Sequence, residues 1–303
     1  MIAPLRLGLI LTYKCNAFCR HCYFNAGPTR TEKMNRNDVL NYLDQAAGLS
    51  TLRMISFTGG EPFLRPDLLC EAVSYAVERG FKTEVVTNCF WAHSKETAEA
   101  QLSSLARAGL DVINLSADDF HQEFTPFSYV KSGYEAAKSF GLKITILCTV
   151  ARSSRLTAEK IANLLGDRKI RIMRENTSRP VKGYAMIVET PFIPVGRGSQ
   201  IPREEWAFSL YTAGPCSHVL RDIAIDPSGK VLPCCSAAGT IEALTLGDAR
   251  KESLSRIVER GRERDSLNVL AVRGPQELLG RGEKAVKDYV NKCHLCYMVL
   301  SNL

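Results

Sequence analysis

The chain has 303 residues, enough for one large domain and a small one, and its evenly spread hydrophobic fraction of 45% argues against a disordered tract. No apolar run approaches the ~20 residues that span a bilayer, and the start, Met1-Ile2-Ala3-Pro4-Leu5-Arg6, lacks the basic region and apolar core of a secretory signal. Eleven cysteines without such a signal point to reduced thiols, metal binding and a cytoplasmic setting, while a formal charge of +7 with no basic stripe among aromatics argues against a nucleic-acid partner.

Leu5 to Leu11 predicts a first strand, and Cys15-Asn16-Ala17-Phe18-Cys19-Arg20-His21-Cys22-Tyr23 follows it directly. Soft thiolates at this spacing can converge on one iron–sulfur cluster, or on a zinc ion with His21 as a further ligand. Ferredoxin-type binding would add a fourth local cysteine. Here the next one, Cys70, falls on an amphipathic helical pattern and reads as packing. A cubane held by three cysteines keeps one iron open for a non-protein ligand.

Asn35 to Leu49 carries a helical stripe, and Leu52 to Phe57 predicts a second strand leading into Thr58-Gly59-Gly60-Glu61-Pro62. The paired glycines let backbone approach a ligand with no Cβ between. A helix ending near Gly80, a strand Lys82 to Val86 and the turn Thr87-Asn88-Cys89 come next. Ser94 caps a helix that reaches Gly109, and Asp111 to Leu115 predicts the fourth strand, followed by Ser116-Ala117-Asp118. A helix after Pro126, a fifth strand Leu142 to Val150 and a helix Ala158 to Leu165 complete the alternation. The sixth strand is either Ile170 to Met173 or Ala185 to Val188. Strands alternating with helices, with the unusual residues all at strand ends, predict an α/β fold: a parallel sheet rolled into a partial (β/α)6 barrel. A doubly wound dinucleotide-binding sheet is the alternative, and no glycine-rich turn follows the first strand to support it.

The Cys-x-x-x-Cys-x-x-Cys spacing, with Gly59-Gly60-Glu61 after the next strand, resembles the radical SAM superfamily, over roughly residues 5–200. The resemblance implies that Cys15, Cys19 and Cys22 hold a [4Fe-4S] cluster whose open iron binds S-adenosylmethionine. It also implies that His21 packs near the adenine beside Tyr23, and that Gly59, Gly60 and Glu61 hold the methionine amino group. Asn88, Ser116 and Asp118 stand where that family places polar groups around the cofactor. Arg152, past the fifth strand, can pair with the methionine carboxylate through its planar fork. Pro194-Val195-Gly196-Arg197-Gly198 looks like the family's Gly-Arg-Ala segment that closes the barrel.

After residue 200 the character changes, which divides the chain into a barrel over 1–200 and an extension over 201–303. Trp206 and Tyr211 lead into Gly214-Pro215-Cys216, then two short strands flank a turn at Asp226-Pro227-Ser228-Gly229 ahead of Cys234 and Cys235. Cys293 and Cys296 follow near the end. Cys216, Cys234, Cys293 and Cys296 would complete a four-thiolate site, in which Cys235 can replace Cys234. This resembles the small SPASM or twitch extensions of radical SAM enzymes and implies one auxiliary [4Fe-4S] cluster. Zinc suits four thiolates equally, and spacing alone does not decide.

The expected function is an enzyme that cleaves S-adenosylmethionine to a 5′-deoxyadenosyl radical and abstracts hydrogen from an unactivated C–H bond. An external one-electron reductant of flavodoxin or ferredoxin type would supply the electron. The favoured substrate is a ribosomally made peptide, altered by epimerisation or cross-linking. The alternative is a sugar or aminocyclitol, epimerised or oxidised at a carbinol carbon. The first strand begins almost at the N-terminus, leaving no fused peptide-recognition domain, which weakens the peptide case without removing it. A non-enzymatic iron–sulfur electron carrier is a third reading, but it has no use for an open iron. Cys235, Cys89 and Cys148 are the candidate thiols for returning hydrogen to a substrate radical, Cys235 first because it follows a candidate cluster ligand.

Overall fold

The computed structural model describes residues 2–174, 184–208, 212–279 and 286–301; Tyr211 lies outside them. In order they form β1 (Arg6–Ile10), α1 (Arg36–Ala47), β2 (Met54–Thr58), α2 (Pro66–Glu78), β3 (Lys82–Thr87), α3 (Lys95–Arg107) and β4 (Val112–Ser116). Next come α4 (Asp119–Gln122), α5 (Phe127–Ser139), β5 (Lys143–Val150), α6 (Ala158–Leu165), β6 (Arg171–Arg174) and β7 (Ala185–Pro191). The remainder contributes β8 (Asp222–Ile225), β9 (Lys230–Leu232), β10 (Gly247–Asp248), α7 (Leu254–Arg262), α8 (Asp265–Val272) and α9 (Lys292–Leu300).

Helices start where polar caps allow. The side chains of Asn35, Ser94 and Thr157 each accept a hydrogen bond from a first-turn N–H of α1, α3 and α6. Each helix then buries one apolar stripe, such as Leu69, Ala72, Val73 and Ala76 on α2. Burying a leucine or valine of this kind contributes about 1.5–3 kcal/mol.

Among the described residues all the strands join one ten-stranded sheet, in the order β10-β9-β8-β1-β2-β3-β4-β5-β7-β6. Neighbours from β8 across to β6 are parallel, and β8, β9 and β10 form an antiparallel meander. Both candidates for the sixth strand are strands: β7 lies beside β5, and β6 is the outer neighbour of β7. The short helix α4 has no counterpart in the sequence reading, because a single capped turn leaves no periodicity to detect.

The two faces of the sheet differ. Leu7, Leu9, Ile55, Phe57, Val85, Ile113, Leu115, Ile144 and Ile146 pack under the helices in the main core. Alternate positions give the other face, where Gly8, Ser56 and Glu84 stand in register and Asn114 and Ser116 are buried on β4. Barrel interiors that only pack are filled by branched aliphatics. A face of Gly, Ser, Glu and Asn suits a lined site instead.

The later cysteine-bearing segment continues this sheet. β8 runs parallel to β1, from Arg6↔Asp222 to Leu9↔Ile225. Gln45 on α1 clamps the two parts, donating from Nε2 to Ala249 O (2.9 Å) and accepting from Leu254 N (2.8 Å). No helix among the described residues is long and apolar enough to cross a membrane.

Candidate active site

The loop after β1 is laced to its surroundings by backbone. Cys15 N–H donates to Gly27 O (3.1 Å), Gly27 N–H to Tyr13 O (3.2 Å), and Cys22 N–H to Cys19 O (3.2 Å). Cys15 and Cys19 are buried and Cys22 half-buried. All three line one cavity at the C-terminal end of the strands, together with His21, Tyr23, Phe24, Gly59, Gly60, Asn88, Ser116, His121 and Arg197.

Donors point at the sulfur: Ala17 N–H lies 3.4 Å and Asn88 Nδ2 3.7 Å from Cys15 Sγ. Burial pushes the Cys15 thiol up to about 12, and drives Cys19 higher still with Cys15 and Asp118 beside it. Burial that disfavours charge on Cys15 and Cys19, with Cys22 beside both, calls for a cation among the three sulfurs. The set fits a cluster held on three corners, since no other cysteine lines this cavity.

The paired glycines serve the cysteine loop itself. A Cβ on Gly59 would come within 2.3 Å of Thr12 O, and one on Gly60 within 2.1 Å of Lys14 O. Without side chains there, Gly60 N–H donates to Thr12 O (2.7 Å) and Glu61 N–H to Lys14 O (3.0 Å). The close approach expected toward a ligand is thus also one toward backbone.

Glu61 is fully buried and turns to the β3 loop. Its Oε1 accepts from Phe63 N (3.0 Å) and Thr87 Oγ1 (2.9 Å), and its Oε2 from Asn88 N (2.8 Å). Burial raises its carboxyl to about 7, against these three donors.

The His21 ring packs on Phe120 (centroids 4.6 Å) and edge-on to His121 (4.9 Å), and its Nδ1 is buried without a hydrogen-bond partner. Burial lowers its basicity to about 4. An imidazole kept neutral, with an unsatisfied nitrogen, suits a flat polar ligand stacked in the cavity.

Asp118 is fully buried and does not line the cavity; it holds His121, which does. Both carboxylate oxygens lie 2.9 Å from His121 Nδ1, and the carboxylate also accepts from His121 N (3.0 Å) and Thr149 N (3.3 Å). Burial alone would raise the Asp118 carboxyl, but the His121 ring holds it below the usual range. Asp118 in turn raises His121 against that ring's own burial. His121 is the site residue the sequence reading misses. Its signal was local: Asp118 three residues earlier, as the cap of α4.

Other candidates lie elsewhere. Arg152 is exposed and does not line the cavity; its N–H bonds Glu205 O (2.8 Å). Cys89 is fully buried on the helix side, near Gly133 of α5. Cys148, on the outward face of β5, directs its thiol to Leu156 O (3.5 Å). Strand alternation sends the Cys148 thiol into the packed layer, and the left-handed turn after β3 does the same for Cys89, both away from the cavity. Cys235 differs. It sits on the inner face over Gly8, packed against a cluster of Ile10, Ala224 and Leu232 that also carries Tyr13 and Phe24, the last a wall of the cofactor cavity. Burial pushes its thiol up to about 11.

Arg197 clasps the cysteine loop from the far side. Its Nε donates to Cys19 O (2.9 Å), one terminal nitrogen donates to Ala26 O (2.7 Å), and the guanidinium lies 3.9 Å from the Phe18 ring centroid.

A second cavity is lined by Cys216, Cys234, Cys293 and Cys296 within an apolar surround that includes Leu244, Leu267 and Leu270. Cys234 lines it and Cys235 does not. Asn291 caps α9 at His294 N (2.9 Å), which orients the turn carrying Cys293 and Cys296. Burial pushes Cys234 up to about 12 and Cys296 further, with the neighbouring cysteines adding to both. Four sulfurs in a dry cavity fit a fully ligated cluster.

The radical SAM superfamily model matches residues 9–165, and an iron–sulfur cluster-binding domain model, SPASM, matches residues 216–297. The putative peptide biosynthesis protein YydG of Bacillus subtilis is 26% identical over 257 residues, 84% of this chain and 76% of that protein. The PqqA peptide cyclase of Granulibacter bethesdensis is 26% identical over 289 residues, 84% of this chain and 73% of the cyclase. Among solved structures, Streptococcus suis SuiB bound to its precursor peptide SuiA superposes with a TM-score of 0.60 at 17% identity, over 98% of this chain and 71% of SuiB. The chain belongs to the radical SAM superfamily: it is an enzyme with a partial barrel and a SPASM-type extension, using S-adenosylmethionine and an iron–sulfur cluster in each part.

Proposed function

We propose that this enzyme inverts a stereocentre in a ribosomally made peptide, with Cys235 returning the hydrogen atom. The peptide class is supported by the relatives named for peptide substrates, YydG, the PqqA peptide cyclase and SuiB with SuiA. The observation that carries the outcome is the Cys235 thiol on the inner sheet face, against the same Ile10, Ala224 and Leu232 cluster that Phe24 of the cofactor cavity packs on, while Cys89 and Cys148 face the helix layer.

When bound, the cluster and cofactor supply a carbon-centred radical able to take hydrogen from an unactivated C–H bond. In this reading Cys15, Cys19 and Cys22 hold the first cluster, and His21, Tyr23, Asn88, Ser116 and His121 wall the cofactor. Cys216, Cys234, Cys293 and Cys296 hold the second cluster. Loss of hydrogen leaves a planar carbon radical on the peptide. Cys235 then gives its S–H hydrogen to the opposite face, forming the inverted C–H bond and a thiyl. One electron from an external flavodoxin- or ferredoxin-type reductant and one solvent proton restore the thiol.

The test uses anaerobically reconstituted enzyme, reductant and S-adenosylmethionine in deuterium oxide, with short peptides encoded by neighbouring genes. Expected are 5′-deoxyadenosine and a peptide carrying one solvent deuterium at an inverted residue. Cys235→Ala should keep cofactor cleavage and lose inversion. A product two hydrogens lighter without solvent label would replace inversion by cross-linking or oxidation. Turnover of an aminocyclitol but of no peptide would overturn the substrate class.

A further inference from the structure

Gly8 stands in the middle of β1, where glycine weakens a strand by offering no side chain to pack and a larger entropy loss. Its backbone is not left-handed, so no turn explains it. Arg6 and Ile10 share its face, Arg6 pairing with Glu84 (3.4 Å) and Ile10 packing in the apolar collar around Cys235. The gap that Gly8 leaves between them is filled from β8 and from the segment just after β9. A Cβ built on Gly8 would lie 3.1 Å from Cys235 Sγ, 3.6 Å from Cys235 Cβ and 3.4 Å from Ala224 Cβ.

We infer that Gly8 is the positioning residue for the Cys235 thiol: its missing side chain is the niche that aims the sulfur at the inner face. The inference rests on the hydrogen-return role proposed for Cys235. The Cys235 backbone cannot retreat, because its N–H donates to Asp222 O (2.8 Å) and Cys234 is committed to the second cavity. A methyl at Gly8 sits inside the ordinary contact distance of about 3.5–4.0 Å. The sulfur must give way by a few tenths of an ångström, out of the niche it now fills. Hydrogen transfer needs its partners aligned at about 3–3.5 Å, and a displacement of ~1 Å costs about a hundredfold.

The experiment compares wild type with Gly8→Ala on the peptide inverted in the assay above. It reads solvent-labelled, inverted product per 5′-deoxyadenosine formed. The displaced thiol should lower that ratio about threefold or more, whereas general damage to the fold would lower product and cofactor cleavage together and leave the ratio unchanged. An unchanged ratio overturns the inference. A second arm measures thermal unfolding of the reconstituted Gly8→Ala, Cys235→Ala and double variants. Removing Cys235 Sγ should restore at least half of the melting temperature lost on Gly8→Ala, and should rescue reconstitution if the single variant fails to fold. Strictly additive losses, or a double variant that also fails, overturn it. A wild type that cleaves the cofactor with peptide but never inverts removes the proposed function and this inference together. An inverting wild type with an indifferent Gly8→Ala removes only the inference.

Discussion

Glu61 shows how a motif residue can be read for its type and still keep its partners hidden. Its carboxylate takes three hydrogen bonds from Phe63 N, Thr87 Oγ1 and Asn88 N, and Thr87 Oγ1 is itself committed as acceptor to Cys89 N and Trp91 Nε1. A glutamine must therefore turn its NH2 toward a donor. Glu61→Gln should cost about 1–3 kcal/mol, measured as a lower unfolding midpoint of the cluster-free protein. Burial raises the carboxyl from 4.5 to about 7, so the folded state holds a proton that the unfolded chain has released. Stability should then fall as pH rises from about 4.5 to about 7 and level off above, and the glutamine variant should lack this slope. The sequence identifies the three cysteines because thiolate spacing is itself the chemistry. It leaves Gly59 and Gly60 half-read, since their partners are backbone groups of a loop more than forty residues earlier, and Glu61 too, since two of its carboxylate partners lie on the next strand's loop. The choice between Cys234 and Cys235 was illegible for a related reason: adjacent residues differ only in the face a strand end gives them.

At the scale of elements, the turn after β7 acts on the loop after β1. Arg197 ties the Cys19 and Ala26 carbonyls together across a stretch that hydrogen-bonds within itself only at a few points. Arg197→Met removes the guanidinium over Phe18 and both charge-assisted bonds, each worth about 1.5–3 kcal/mol. Iron should leave the first cluster at least about tenfold faster on chelator challenge, while the second cluster, held by other elements, releases iron at the wild-type rate. Equal loss from both would show that Arg197 acts on the fold in general. The alternation of strand and helix up to β5 was legible because each element has its own period. Which of two short apolar runs would lie beside β5 was not, because both are strands and only their pairing distinguishes them.

The whole molecule carries two sulfur-lined cavities on one sheet. Reconstitution should give about eight irons per chain, from two cubanes. Replacing Cys15, Cys19 and Cys22 by alanine should remove about half of them and all 5′-deoxyadenosine formation. Cys293→Ala with Cys296→Ala should remove the other half and leave the first cluster's absorbance and its cofactor-induced spectral change. Persistent cofactor cleavage in the triple variant would displace the central assignment. What the sequence divided at residue 200 the structure joins, since β8 continues the sheet from β1. Pairing between residues so far apart leaves no local signal.

That pairing governs how the protein is made. β1 leaves the ribosome before β8, and one of its edges is unsatisfied until β8 emerges more than two hundred residues later. At ~5–20 residues per second the wait is about ten seconds or longer. Throughout it, the chain exposes a strand edge beside the very cysteines that must collect iron, a template for pairing with another nascent chain. A product stopped before residue 212 should accordingly collect in the pellet with its three motif cysteines empty. A Lys substitution within β1 of that truncated product should return it to the supernatant, and a truncated product that stays dispersed unaided would show that the open edge is no hazard.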